Sequence, residues 1–120
     1  MSKSKADKEF VAHVIDLMQI IGPVESRRMF SGTGIFLGGL MFGLVDKNTL
    51  YLKADDDCVE DFLSMGLEAF TYVKQGKQCQ LSYYQAPEEA LEHQDDMLVW
   101  ANKAYACALR AAARRSADSI

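Results

Sequence analysis

The sequence predicts a single α+β domain in two layers, an antiparallel sheet with helices packed on a face. Three observations predict it. With 120 residues, 49% of them apolar and 25% charged, the chain has the composition of a soluble packed domain and is too short for two. Apolar spacing switches along the chain from a helical stripe to short strand-like runs and back. Turn-forming residues punctuate each switch, in the order helix, three strands, helix, two strands, helix. One domain therefore occupies residues 1–120, with a core over about 8–115 and frayed ends at Met1–Lys5 and Ser116–Ile120.

The elements follow in chain order. Phe10, Val11, Val14, Leu17, Met18 and Ile21 form the stripe of an amphipathic helix, which Gly22 ends as a left-handed cap and Pro23 refuses to continue. Arg28-Met29-Phe30 reads as a short extended piece. Ile35-Phe36-Leu37 and Leu40–Val45 flank Gly38-Gly39, a pair that tolerates the positive φ angles of a tight hairpin turn. Asp46-Lys47-Asn48 turns the chain into Leu50-Tyr51-Leu52-Lys53. Asp55-Asp56-Asp57 starts a second helix with carboxylates at its positive end, Val59, Phe62, Leu63 and Met65 on its inner side, and Gly66 as its stop. Phe70–Lys74 and Cys79–Tyr84 make a second hairpin around Gln75-Gly76-Lys77, with Cys79, Leu81 and Tyr83 on one side and Gln80, Ser82 and Tyr84 on the other. Pro87 opens a short helix reaching Leu91, and a long helix runs from about Asp95, its stripe formed by Met97, Ala101, Ala104, Tyr105, Ala108 and Ala112.

Charge limits the function classes. Thirteen basic and 17 acidic side chains leave a formal charge of −4, without the basic excess that drives non-specific nucleic-acid binding. The first nine residues alternate in charge and contain no apolar core, so they do not form a secretory signal. The longest apolar stretch, Ile35–Val45, is interrupted by glycines and falls well short of the roughly 20 residues that cross a bilayer. A cytoplasmic protein without a membrane partner is expected.

No motif points to catalysis, a cofactor or a metal. Cys58, Cys79 and Cys107 lie far apart without a Cys-x-x-Cys, so reduced and mostly buried thiols are expected. The acids around Cys58 disfavour a thiolate there. Asp55-Asp56-Asp57 lacks the alternating ligands and distal Glu of a calcium loop. Gly32-Thr33-Gly34 and Gly38 lead into a strand instead of a helix, so tight turns explain them better than a phosphate cradle. His13 and His93 have no partner at helical spacing, and Ser31, Ser64 and Ser82 stand in no nucleophile elbow. The pairs Glu88-Glu89 and Asp95-Asp96 sit where helices begin, which dipole stabilisation explains.

Contact surfaces remain. Between Met97 and Ala117 there are no acids, while Lys103, Arg110, Arg114 and Arg115 are basic; the first three share a face of the last helix through spacings of seven and four. Complementing the helix dipole accounts for these cations, and contact with phosphate or an acidic partner is the functional alternative. Arg27-Arg28 forms a second basic pair. Tyr83-Tyr84 puts one ring on each side of the sheet, and Tyr84 is expected to serve recognition.

Several stretches together resemble the TfoX/Sxy N-terminal domain, a family of bacterial competence regulators. They are Arg28-Met29-Phe30-Ser31-Gly32-Thr33-Gly34-Ile35-Phe36, Met41-Phe42-Gly43-Leu44-Val45, Leu50-Tyr51-Leu52-Lys53, Phe70-Thr71-Tyr72 and Ser82–Glu88, followed by the helix containing Trp100. The likeness runs from about Phe10 to Arg115, covers the N-terminal part of the family's two-domain regulators, and implies the same element order. It also implies a role in transcription of DNA-uptake genes, as co-activator with the cyclic-AMP receptor protein, and offers no catalytic residue. The expectation is therefore a regulatory, protein-contacting domain that is not an enzyme. Its candidate contacts are Arg27, Arg28, Tyr84, Lys103, Arg110, Arg114 and Arg115, with a homodimer as a further form of association. Direct DNA binding through the basic last helix is the alternative.

Overall fold

A computed structural model describes residues 5–29 and 32–118. Its helices are α1 (Lys5–Met18), α2 (Val59–Leu63), α3 (Glu88–Glu92) and α4 (Gln94–Asp118). The strands are β1 (Glu25–Met29), β2 (Gly32–Leu37), β3 (Leu40–Asp46), β4 (Thr49–Lys53), β5 (Ala69–Lys74) and β6 (Lys77–Gln85). All six join one antiparallel sheet in the order β1-β2-β3-β4-β6-β5. The α+β architecture expected from the sequence is the one observed.

Three hairpins share one turn chemistry. Gly38-Gly39, Lys47-Asn48 and Gln75-Gly76 all have positive φ at both central residues, the arrangement whose twist suits a two-residue hairpin. The last of these turns spans Gln75-Gly76 alone, with Lys77 already in β6.

Several sequence expectations are corrected. The short piece Arg28-Met29 belongs to a full edge strand, β1, pairing Glu25 with Phe36 through Met29 with Gly32; four strands therefore precede α2. Phe30 and Ser31 lie outside the described residues, as do Met1–Ser4, Ser119 and Ile120. The first helix ends at Met18 in a 3-10 turn, Gln19–Ile21, and Gly22 has a φ of 145°, outside the left-handed helical cap. Gly32 and Gly34 stand inside β2, not in turns: a Cβ on Gly32 would lie 2.7 Å from the Val45 carbonyl oxygen, and one on Gly34 would lie 2.6 Å from Met29 Sδ. Close strand and side-chain approach is what these positions require. At the other end, α4 continues past Ser116 to Asp118.

The core lies between the sheet and its helices. Ile35, Phe42, Leu50 and Leu52 meet Val14 and Met18 of α1, Phe62 of α2, and Met97, Ala101, Ala104 and Cys107 of α4. Small residues on the α4 stripe let the helix approach closely, while rings fill the gaps: Phe62 packs against Trp100 at 5.0 Å and Phe42 against Tyr105 at 5.5 Å. On the face opposite Leu50 and Leu52, Tyr51 packs against Phe70 and Phe70 against Tyr72. Val73, at the far end of β5, is 74% exposed. His13 Nε2 donates to the Leu91 carbonyl at 2.8 Å, tying α1 to α3. Among the described residues, no helix is long and apolar enough to cross a membrane.

Candidate functional site

The seven expected contact residues are distributed over separate surfaces. Arg27 and Arg28 alternate along β1, so their side chains leave the sheet on opposite sides. The Arg27 guanidinium lies 5.0 Å above the Phe36 ring. Arg28 lines a cleft of about 600 Å³ with Asp7, Val11, Asp16, Ser26 and Thr33. Tyr84 packs on the helix side, 5.8 Å from the Phe62 ring, and is half-buried. Its neighbour Tyr83 lies on the other face, donates to the Met41 carbonyl at 3.4 Å, and is pushed up to about 12 by burial.

The cations of α4 divide into two groups. Lys103 lies 3.3 Å from Asp61 and 5.7 Å from the Trp100 ring centroid. Arg110 grips Asp55 with both arms of its fork: Nε donates to Oδ2 at 2.7 Å and Nη2 to Oδ1 at 3.0 Å. Nε also stands 3.2 Å from Asp57 Oδ2, and Nη2 3.2 Å from Cys107 Sγ. Planar bidentate pairing of this kind is the strong form of a charge-assisted hydrogen bond. The Arg110 guanidinium holds the Asp55 carboxyl well below the usual carboxylate range, against the opposing effect of burial. Arg114 and Arg115, one turn further on, are exposed. Arg115 borders a small cleft of about 170 Å³ with Met41, Lys53 and Tyr83.

Local structure explains why Asp55 is available. Its Oδ1 accepts from the Asp57 amide at 3.1 Å, and its carbonyl accepts from the Cys58 and Val59 amides at 3.1 and 2.8 Å. That turn starts α2 and directs the carboxylate at α4. Two of the acids expected to serve the helix dipole, Asp55 and Asp57, thus pair with Arg110, while Lys103 is paired with Asp61 inside α2.

One grouping was absent from the sequence reading. Cys58 Sγ and Cys107 Sγ are 2.9 Å apart, both buried, although 49 residues separate them. With the Asp55 carboxylate, the two sulfurs form a set whose donor atoms all lie within 4.8 Å of one another. Three donors fall short of the four that hold a structural zinc, and the Arg110 guanidinium already supplies a cation to Asp55 and Cys107. Helical spacing offered a partial signal, since Cys107 and Arg110 lie three apart on α4; nothing local pointed to Cys58.

Fold and surface define a class: a small α+β domain with a helix-covered antiparallel sheet, in which Lys103 and Arg110 of α4 pair with acids in α2 and in the turn before it. The sequence matches the TfoX N-terminal domain over residues 16–108, and the chain belongs to that family. It is also 31% identical over 68 residues to the DNA transformation protein TfoX1 of Aliivibrio fischeri. That match covers 57% of this chain and 32% of the relative, so the chain spans about a third of that protein's length.

Proposed function

We propose that this domain regulates the uptake of DNA by contacting a transcription factor in the cytoplasm, without performing chemistry of its own. Family membership together with a relative named as a DNA transformation protein carries the reading. The geometry supports contact with protein over contact with phosphate. Lys103 and Arg110 are committed to Asp61 and Asp55, leaving Arg114 and Arg115 as the exposed cations of α4, few for a DNA footprint.

The cyclic-AMP receptor protein is the partner proposed. Titration calorimetry of the purified chain against that protein with cyclic AMP is expected to give saturable binding, weakened at least about fivefold by a joint Arg114→Ala and Arg115→Ala change. Heat of dilution alone would count against this partner. The exposed Arg114-Arg115 pair favours one second reading, direct DNA binding. Fluorescence anisotropy with a duplex at two salt concentrations tests it: a steep salt slope that the same double change flattens supports DNA contact, and no binding at low salt rejects it.

A further inference from the structure

We propose that Cys58 and Cys107 form a redox-active dithiol that a hydroperoxide oxidises to an intramolecular disulfide, locking the start of α2 onto α4. The inference stands apart from the regulatory reading and survives or fails independently of it.

Geometry carries it. Closing the 2.9 Å between the sulfurs to a disulfide bond needs a movement of only about 0.9 Å, within the range of side-chain rotation. The two cysteines are not equivalent. Cys58 stands at the N-cap of α2 and keeps 7% of its surface in contact with solvent, whereas Cys107 is fully enclosed on α4. Burial, with Cys58 and Asp55 beside it, pushes the Cys107 thiol up and disfavours its thiolate, which suits Cys107 to the second step of a disulfide-forming reaction. Arg110 Nη2, 3.2 Å from Cys107 Sγ, is placed to hold negative charge as that sulfur gives up its proton.

The reaction balances in two steps. Asp55 and Asp57, two of the acids expected to disfavour a thiolate at Cys58, are paired with Arg110; Cys58 loses its proton to water, and its thiolate attacks one peroxide oxygen. The O–O bond breaks, an alcohol or water leaves with a proton, and Cys58 becomes a sulfenic acid. Cys107 Sγ then attacks Cys58 Sγ; the S–O bond breaks and hydroxide departs, taking the Cys107 proton as water. The two thiols lose two protons and two electrons, and the peroxide is reduced.

Cys79 is the internal control, since it lies in β6 and has its Sγ 3.8 Å from the Lys77 carbonyl, remote from the pair. The folded chain would be treated with graded hydrogen peroxide in the presence of a chelator, free thiols blocked with an alkylating agent, and peptides mapped without reduction. The expected product joins the peptides containing Cys58 and Cys107, with a mass loss of about 2 Da that dithiothreitol reverses. It forms equally in Cys79→Ser and is lost in Cys58→Ser. Recovery of Cys58 and Cys107 as separate alkylated or sulfonated peptides from oxidised wild-type protein would overturn the proposal. So would stoichiometric zinc that co-purifies and shields both thiols. Because wild-type mapping alone decides the matter, a variant that fails to fold does not block the test.

Discussion

Asp55 does three jobs at once, and each belongs to a different partner. It caps the turn into α2, it pairs with Arg110, and it borders the Cys58–Cys107 contact. Replacing it with Ala removes the turn acceptor and the bidentate pairing of the part-buried guanidinium, leaving Arg110 only the exposed Asp57 carboxylate. The expected loss is about 2 kcal/mol in urea denaturation, against about 1 kcal/mol for Asp55→Asn, which keeps a capping oxygen but loses the charge and the second acceptor that Arg110 Nε uses. The pH dependence has a definite sign. Because Arg110 lowers the Asp55 pKa in the folded state, the stabilisation is fully present above the unfolded carboxylate value and disappears as acid protonates the group. The gap between wild type and Asp55→Asn should therefore be constant from pH 7 to about 5 and shrink below about pH 4. A gap that stays unchanged at pH 3 would show that charge is not the cause. The sequence displayed both halves of this pair, the acids before α2 and the spaced cations of α4. Nothing local showed that they meet across 55 residues.

At the level of elements, the turns were the most legible part of the chain and the strand glycines the least. Gly38-Gly39 announces a hairpin because glycine reaches positive φ freely, while Lys47-Asn48 adopts the same conformation with side chains that resist it. Gln75 is another such residue, with φ 53° beside Gly76 and an exposed position. Gln75→Asn creates the favoured Asn-Gly pair without touching the core, and should raise stability by about 0.5 kcal/mol in denaturant titration. The β2 glycines behave differently. Gly32 and Gly34 resemble turn residues in sequence, yet they lie flat in a strand because neighbours crowd them. At Gly32 the obstacle is the Val45 carbonyl oxygen, which cannot move without displacing β3. At Gly34 the obstacles are Met29 Sδ and the edge of Phe36, side-chain atoms that can swing away. Gly32→Ala should accordingly cost more than about 2 kcal/mol and Gly34→Ala only about 1 kcal/mol; equal losses would refute the distinction between rigid and yielding neighbours.

Across the whole molecule, stability is distributed unevenly, and the sheet order explains how. The sequence showed two groups of strands but not their junction, because the pairing of β4 with β6 instead of β5 links distant residues and depends on α2 crossing between them. That junction is short, running from Tyr51–Gln85 to Lys53–Tyr83, and it sits at the end of β6 nearest the helices. Beyond it, the β5–β6 hairpin extends into solvent: Thr71 through Gln78 are all exposed, and Val73 is covered by nothing in the core. In contrast, β3 and β4 lie inside the sheet beneath α4, with Phe42, Leu50 and Leu52 enclosed. A segment with little buried apolar surface opens at low free-energy cost, whereas a central strand opens only when the core does. Native-state hydrogen exchange should therefore separate two populations. Amides of Thr71–Gln80 that bond across the hairpin should exchange at least about a hundredfold faster than those of β3 and β4, with little sensitivity to mild denaturant. Reducing core stability by Gly32→Ala should accelerate β3 and β4 while leaving the hairpin tip almost unchanged, since its opening does not require the core to separate. If the tip and the central strands instead slowed and quickened together, the six strands would constitute one cooperative unit, and the short β4–β6 junction would be carrying far more of the coupling than its three residue pairs suggest.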